Sequence, residues 1–175
     1  MHSGKTVLLR QDLCIRLFFR FLVCYLLILT IGYVCAAKGL GFLWRDHIAR
    51  SVPLFVVLAL IGGFSSISNI YLLLLTAVKA LWEAQIVYRA VLLIQAGSMM
   101  LLTANACLLS LCFSLLVFTA AAALACRFAF ENRLRDLRLL CSRSGARYLL
   151  QSLCLFSLAL LSYLLWSHLL SLSPL

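Results

Sequence analysis

Residues 90–126 read AVLLIQAGSMMLLTANACLLSLCFSLLVFTAAAALAC, a run of 37 residues without Lys, Arg, Asp, Glu or His. A helix of this length extends for about 55 Å, whereas the hydrocarbon core of a bilayer is roughly 30 Å thick. Three further stretches, at 21–37, 51–78 and 148–170, contain no Lys, Arg, Asp or Glu. Together these runs predict an all-α integral membrane protein.

The composition agrees with this class. The 175-residue chain is 65% hydrophobic and 11% charged, against about 45–50% apolar and about 25% charged residues in soluble domains. Its net charge is +10, and the basic residues flank the apolar runs, where they orient helices and meet anionic headgroups. We therefore predict one polytopic membrane domain over residues 1–175, and no nucleic-acid partner.

The number of membrane-spanning helices depends on how the long run is divided. The first, second and last spans are predicted at Phe21–Ala37, Ser51–Val78 and Tyr148–Leu170. The run itself is either one helix near 103–126 or two helices at 84–103 and 107–126, which gives four or five spans.

Two observations bear on this choice. With five spans, the side of the membrane that holds the N-terminus carries twelve Lys and Arg against three, as the positive-inside rule favours. The turn would then lie at Thr103-Ala104-Asn105, where neither Gly nor Pro stands. Lys79, Glu83 and Arg89 follow the second span, and only the five-span arrangement, with its helix at 84–103, would draw Glu83 and Arg89 inward. We expect headgroups to hold these side chains at the interface.

Two amphipathic segments flank the predicted bundle. Residues 1–20 are basic and poor in acidic residues, as in mitochondrial targeting segments and in interfacial helices. Residues 127–145 place apolar side chains at helical spacing opposite a charged face, which predicts an extramembrane helix at the headgroup boundary. Its arginines are the candidate contacts to anionic lipid or to a partner protein: Arg127, Arg133, Arg135, Arg138, Arg143 and Arg147.

Reactive groups are scarce in the apolar runs. The eight cysteines form no CxxC pair, and no catalytic or metal-ligating set is recognisable. Ionisable residues inside membranes usually mark functional sites, and a polar path through this bundle would use Glu83, Arg89, Gln95 and Asn105. No enzymatic activity is predicted, and no cofactor except a bound phospholipid such as cardiolipin.

The sequence therefore favours a structural, non-catalytic accessory subunit of a multi-subunit membrane complex, with other membrane subunits and anionic lipids as partners. The basic N-terminal segment favours the mitochondrial inner membrane and a respiratory complex. The endomembrane system is the alternative location. The alternative function is a small transporter or channel that acts alone or as a homo-oligomer.

Overall fold

The computed structural model describes residues 3–39, 48–64, 67–97, 101–132 and 143–172. All regular secondary structure in these ranges is helical, as predicted. The helices are α1 (Ser3–Ala37), α2 (Ile48–Gly62), α3 (Ser68–Gln95), α4 (Leu101–Asn132) and α5 (Arg143–Leu172).

Four of the five helices are long and apolar enough to cross a membrane. The qualifying stretches contain between 20 and 25 residues each, which at 1.5 Å per residue covers about 30–38 Å. They suggest a multi-pass membrane protein and are Leu13–Ala37, Ser68–Leu92, Leu109–Phe130 and Gly145–Leu164. Helix α2 is shorter, with an apolar part at Pro53–Gly62.

The predicted second span, Ser51–Val78, is two helices rather than one. Helix α2 ends at Gly62 and α3 begins at Ser68. A Cβ added at Gly62 would lie 2.6 Å from Cδ1 of Tyr71, so only glycine lets α3 approach α2 this closely. The hydroxyl of Tyr148 donates a hydrogen bond of 2.6 Å to the carbonyl of Leu60 and satisfies a group that the helix end exposes.

Helix α4 agrees with the alternative of one helix near 103–126, whereas the alternative of two helices at 84–103 and 107–126 is wrong. Helix α3 continues through Lys79 to Gln95, and the chain turns at Ala96 and Gly97, where Gly97 has φ +69°. Helix α4 then passes without interruption through residues 103–105, so neither a turn there nor a separate helix at 107–126 exists. Glycine at a positive φ is the usual helix terminator, and Gly97 provides it.

Contacts between the helices fix their directions. Tyr25 of α1 lies beside Lys79 of α3, and Tyr33 lies beside Tyr88 with ring centroids 5.7 Å apart, so α1 and α3 are parallel. The short helix α2 must therefore carry the chain back between them. In α4, by contrast, Ser114 contacts Glu83, and the Phe118 ring lies beside Lys79, so α4 is antiparallel to α3.

Helix α5 begins where α4 ends. Its Tyr148 ring stacks on Phe128, with centroids 3.9 Å apart and planes at 11°. The beginnings of α1, α3 and α5 and the ends of α2 and α4 therefore lie at one end of the bundle, which we call the N-terminal end. The five helices alternate in direction.

Helices α3 and α4 form the centre of the bundle. In an apolar stretch of 18 residues, 39% of the residues of α3 and 44% of those of α4 are buried, against 11% for α1 and 17% for α5. Large apolar side chains such as Leu74 and Leu150 point outward, with 63% and 65% of their surface exposed. Apolar rows of this kind suit contact with lipid chains or with neighbouring helices.

The two predicted amphipathic segments are continuous with longer helices. Residues 3–20 belong to α1, whose apolar stretch begins at Leu13, so that Arg16 and Arg20 lie within it and are exposed. Of the predicted helix at 127–145, residues 127–132 belong to the end of α4 and residues 143–145 to the beginning of α5, and the helix stays a prediction. Residues 133–142 lie outside the described part of the chain.

Candidate functional site

A lysine and a glutamate are buried at the middle of α3. Lys79 and Glu83 are four residues apart and therefore lie on one face of the helix. Their exposed fractions are 1% and 4%, although both residues were expected at the membrane interface. The expectation was wrong because each charge is neutralised by the other and the pair is covered by surrounding helices.

A serine from the antiparallel helix α4 completes a triangle of hydrogen bonds. The ammonium group of Lys79 donates to Oε1 of Glu83 and, over 2.8 Å, to Oγ of Ser114. The hydroxyl of Ser114 in turn donates to the same Oε1 over 3.0 Å. We call Lys79, Glu83 and Ser114 the buried polar cluster; it joins α3 to α4 through polar contacts within an otherwise apolar interior.

Aromatic rings from three helices surround the ammonium group of the cluster. Nζ of Lys79 lies 5.7 Å from the ring centroid of Tyr25 in α1, 5.9 Å from that of Phe55 in α2 and 5.4 Å from that of Phe118 in α4. Faces of aromatic rings attract cations at such distances, and more strongly where water is excluded. All three rings are themselves buried. Four helices therefore meet at one lysine.

The hydrogen bonds of the cluster are directed inward. A serine next to a lysine can act as a nucleophile when the lysine is free to accept its proton. Here Ser114 donates its hydrogen bond to Glu83, and Lys79 donates to both partners, so neither group is directed at an outside molecule. The buried rings of Tyr25, Phe55 and Phe118 surround the ammonium group. Lys79 and Ser114 thus direct their hydrogen bonds to partners within the cluster.

The other residues of the predicted polar path do not join Glu83. Arg89 and Gln95 are exposed, and the side chain of Asn105 lies outside the described part of the structure. Sequence reasoning missed Ser114, which resembles the other hydroxyl residues of the apolar runs. Ser114 can be singled out only after Lys79 and Glu83 have been placed inside a membrane span. A buried ion pair then requires a polar partner on a facing helix.

The predicted arginine contacts are described only in part. Arg127 is half-buried near the end of α4, and Arg147 is exposed in the second turn of α5. Both are sequence neighbours of the stacked pair Phe128 and Tyr148, so they lie at the same level of the bundle. Arg133, Arg135 and Arg138 lie outside the described residues, as does the side chain of Arg143.

Among the described residues, no group of three or more His, Cys, Asp or Glu lies close enough together to hold a metal ion. Comparisons with protein families, with characterised proteins and with solved structures find no match to this chain.

Proposed function

We propose that this protein is a structural, non-catalytic subunit of a multi-subunit membrane assembly. The observation that carries the proposal is the closed state of the buried polar cluster. Lys79, Glu83 and Ser114 use their hydrogen bonds on one another, and aromatic rings cover the lysine. A charge pair held in this way fixes the register of α3 against α4 and offers no group to a substrate.

The outer surface supports an assembly role. Helices α1 and α5 contribute few buried residues; α1 presents exposed leucine, isoleucine, valine and phenylalanine along its length, and α5 presents exposed leucines. In a membrane, lipid tails or the helices of other subunits cover such rows equally well. A rigid interior with apolar outer helices suits a subunit that packs between larger partners.

The proposed address is the mitochondrial inner membrane, with a respiratory complex as the parent assembly. The basic, acid-poor N-terminal segment supports it. Basic residues also distinguish the two ends of the bundle: residues 1–20 hold four Lys and Arg and residues 127–147 hold six, whereas residues 38–50 hold three and Arg89 lies nearby. The positive-inside rule then orients the N-terminal end toward the matrix.

Gentle detergent extraction followed by native mass spectrometry tests the assembly role. The proposal expects a particle that contains the 19.5 kDa chain together with other membrane proteins in fixed stoichiometry. A homogeneous particle of monomer mass, with no co-purifying chain, would refute it. Fluorescence microscopy of a C-terminally tagged chain tests the address separately, since a signal confined to the endomembrane system would refute only the mitochondrial part.

One observation favours a second candidate, a small transporter. Charged residues at the middle of a membrane span often belong to ion or proton pathways, and Lys79 and Glu83 occupy such a position. Reconstitution into liposomes distinguishes the two functions. Ion or solute flux that is present in the wild type and lost in the Lys79→Met, Glu83→Met double variant would favour the transporter. Absence of flux from both, with assembly of the double variant intact, would favour the structural subunit.

A further inference from the structure

An open apolar groove of about 590 Å³ runs between α1, α4 and α5. Its volume lies within the roughly 300–1,000 Å³ of ordinary ligand pockets. Phe18 and Phe19 of α1 form one wall, Leu150 and Cys154 of α5 form another, and Ala123 of α4 lies at the floor. The small side chain at the floor leaves room for a narrow apolar occupant that lies along the helices.

Two arginines stand at one mouth of this groove. Arg127 follows the groove residues Ala123 and Leu124 by four and three positions, so it lies on the same face of α4, one turn nearer the N-terminal end. On α5, Arg147 likewise precedes Leu150 and Gln151 by three and four positions, again one turn nearer that end.

The level of the two arginines is fixed by their neighbours. Phe128 and Tyr148 stack with ring centroids 3.9 Å apart, which places the adjacent positions 127 and 147 at the same level of the bundle. Arg147 is exposed, and Arg127 is half-buried and already takes part in an interaction within the protein. An apolar groove with a cationic mouth complements a molecule that has an apolar chain and an anionic head.

From this geometry we infer that the groove binds an anionic phospholipid. One acyl chain lies along the floor at Ala123, and the phosphate meets Arg127 and Arg147 at the N-terminal end of the bundle. Guanidinium groups match phosphate oxygens in a bidentate geometry, and basic pockets between membrane helices recognise anionic headgroups in this way. Gln151, which also lines the groove, lies one turn farther from the N-terminal end than Arg147 and is suited to contact the polar glycerol region of the lipid. This inference does not depend on the assembly role.

The test uses the full-length protein in nanodiscs that contain equal parts of phosphatidylglycerol and phosphatidylcholine, with lipid retention measured by native mass spectrometry after transfer to detergent. The wild type is expected to retain phosphatidylglycerol in preference to phosphatidylcholine. The Arg127→Gln, Arg147→Gln double variant should lower this preference by roughly tenfold or more, because two cationic contacts to the headgroup are lost. Arg89→Gln, at the opposite end of the bundle, is the matched control and should leave the preference unchanged.

A second variant tests the groove rather than its mouth. Cys154 is an exposed lining residue, so Cys154→Phe fills the groove without disturbing the interior. It should lower retention of both lipids, while circular dichroism remains that of the wild type. Equal retention of both lipids by the wild type would overturn the inference, as would an unchanged preference in the double arginine variant. A detergent-resistant dimer in place of bound lipid would also overturn it, because the occupant would then be a second copy of the chain.

Discussion

Breaking the ion pair between Lys79 and Glu83 should cost far more stability than removing both charges together. We consider Lys79→Met and Glu83→Met, alone and combined, because methionine approximates the length of both side chains. In the Lys79→Met variant the carboxylate of Glu83 keeps only the hydrogen bond from Ser114. In the Glu83→Met variant the ammonium group of Lys79 keeps only Ser114 and the aromatic rings. Either variant leaves one uncompensated charge in an apolar interior.

The expected losses of stability follow from the burial of Lys79 and Glu83. Removing one partner of a buried pair costs about 3–5 kcal/mol, whereas replacing the whole pair by apolar groups of similar volume is often neutral. Lys79 and Glu83 have exposed fractions of 1% and 4%, so these costs for buried pairs apply to them. In the double variant the hydroxyl of Ser114 can donate to a carbonyl one turn earlier in α4, so no polar group is left unpaired. We expect each single variant to lose about 3 kcal/mol and the double variant to lose less than about 1 kcal/mol.

The assay is equilibrium unfolding of the purified protein in mixed micelles, with helix content followed by circular dichroism. Arg16→Met is the matched control, because Arg16 is exposed and the removal of an exposed charge should change the free energy of unfolding by less than about 1 kcal/mol. Additive losses, with the double variant as unstable as the sum of the single variants, would refute the reasoning. Such a result would mean that the two charges do not compensate each other.

Three further variants test separate contacts in the same unfolding assay. Tyr25→Phe should raise the free energy of unfolding by about 1 kcal/mol, because the buried Tyr25 hydroxyl has no hydrogen-bond partner among the described residues; a loss of stability would show that the hydroxyl is in fact satisfied. Gly32→Ala should lower it by about 1–3 kcal/mol, since the new Cβ would lie 2.8 Å from Cβ of Ala84 where α1 meets α3; the outward-facing Ile31→Val is the control, and equal effects would contradict the close approach. Tyr148→Phe removes the hydrogen bond to the carbonyl of Leu60 but keeps the stacked ring, so we expect a loss of about 1–2 kcal/mol; no change would mean that this bond does not hold the end of α2.

The sequence was sufficient to predict an all-helical fold with helices long and apolar enough to cross a membrane, and to locate the outer helices. Apolar runs bounded by charges placed α1 and α5 close to their observed positions, because helices that face lipid have to be apolar along their whole length. The beginning of α3 could not be found in the same way. Between Ser51 and Val78 the run has no charge at all, and its break at Gly62 depends on the tight approach of Tyr71, a contact between two helices.

The buried polar cluster was misplaced for a related reason. Charged residues were treated as boundaries between spans, so Lys79 and Glu83 were assigned to the interface. The i,i+4 spacing was visible in the sequence, and a neutral pair at this spacing can stay on one helix inside the membrane. The sequence does not indicate which helix faces this pair. Ser114 is 31 residues from Glu83, and only the antiparallel packing of α4 against α3 brings the two side chains together.

Water access to Ser114 tests the central claim, that the polar cluster is sealed inside the bundle, more directly than any other measurement. We consider Ser114→Cys in a background in which all eight native cysteines are replaced, reconstituted in liposomes and treated with a membrane-impermeant thiol reagent. We expect no labelling of this position until the protein is denatured, and rapid labelling of the control Lys38→Cys, whose position is exposed after α1. Rapid labelling at position 114 in the folded protein would contradict the account, because it would reveal a water-filled path to Lys79 and Glu83.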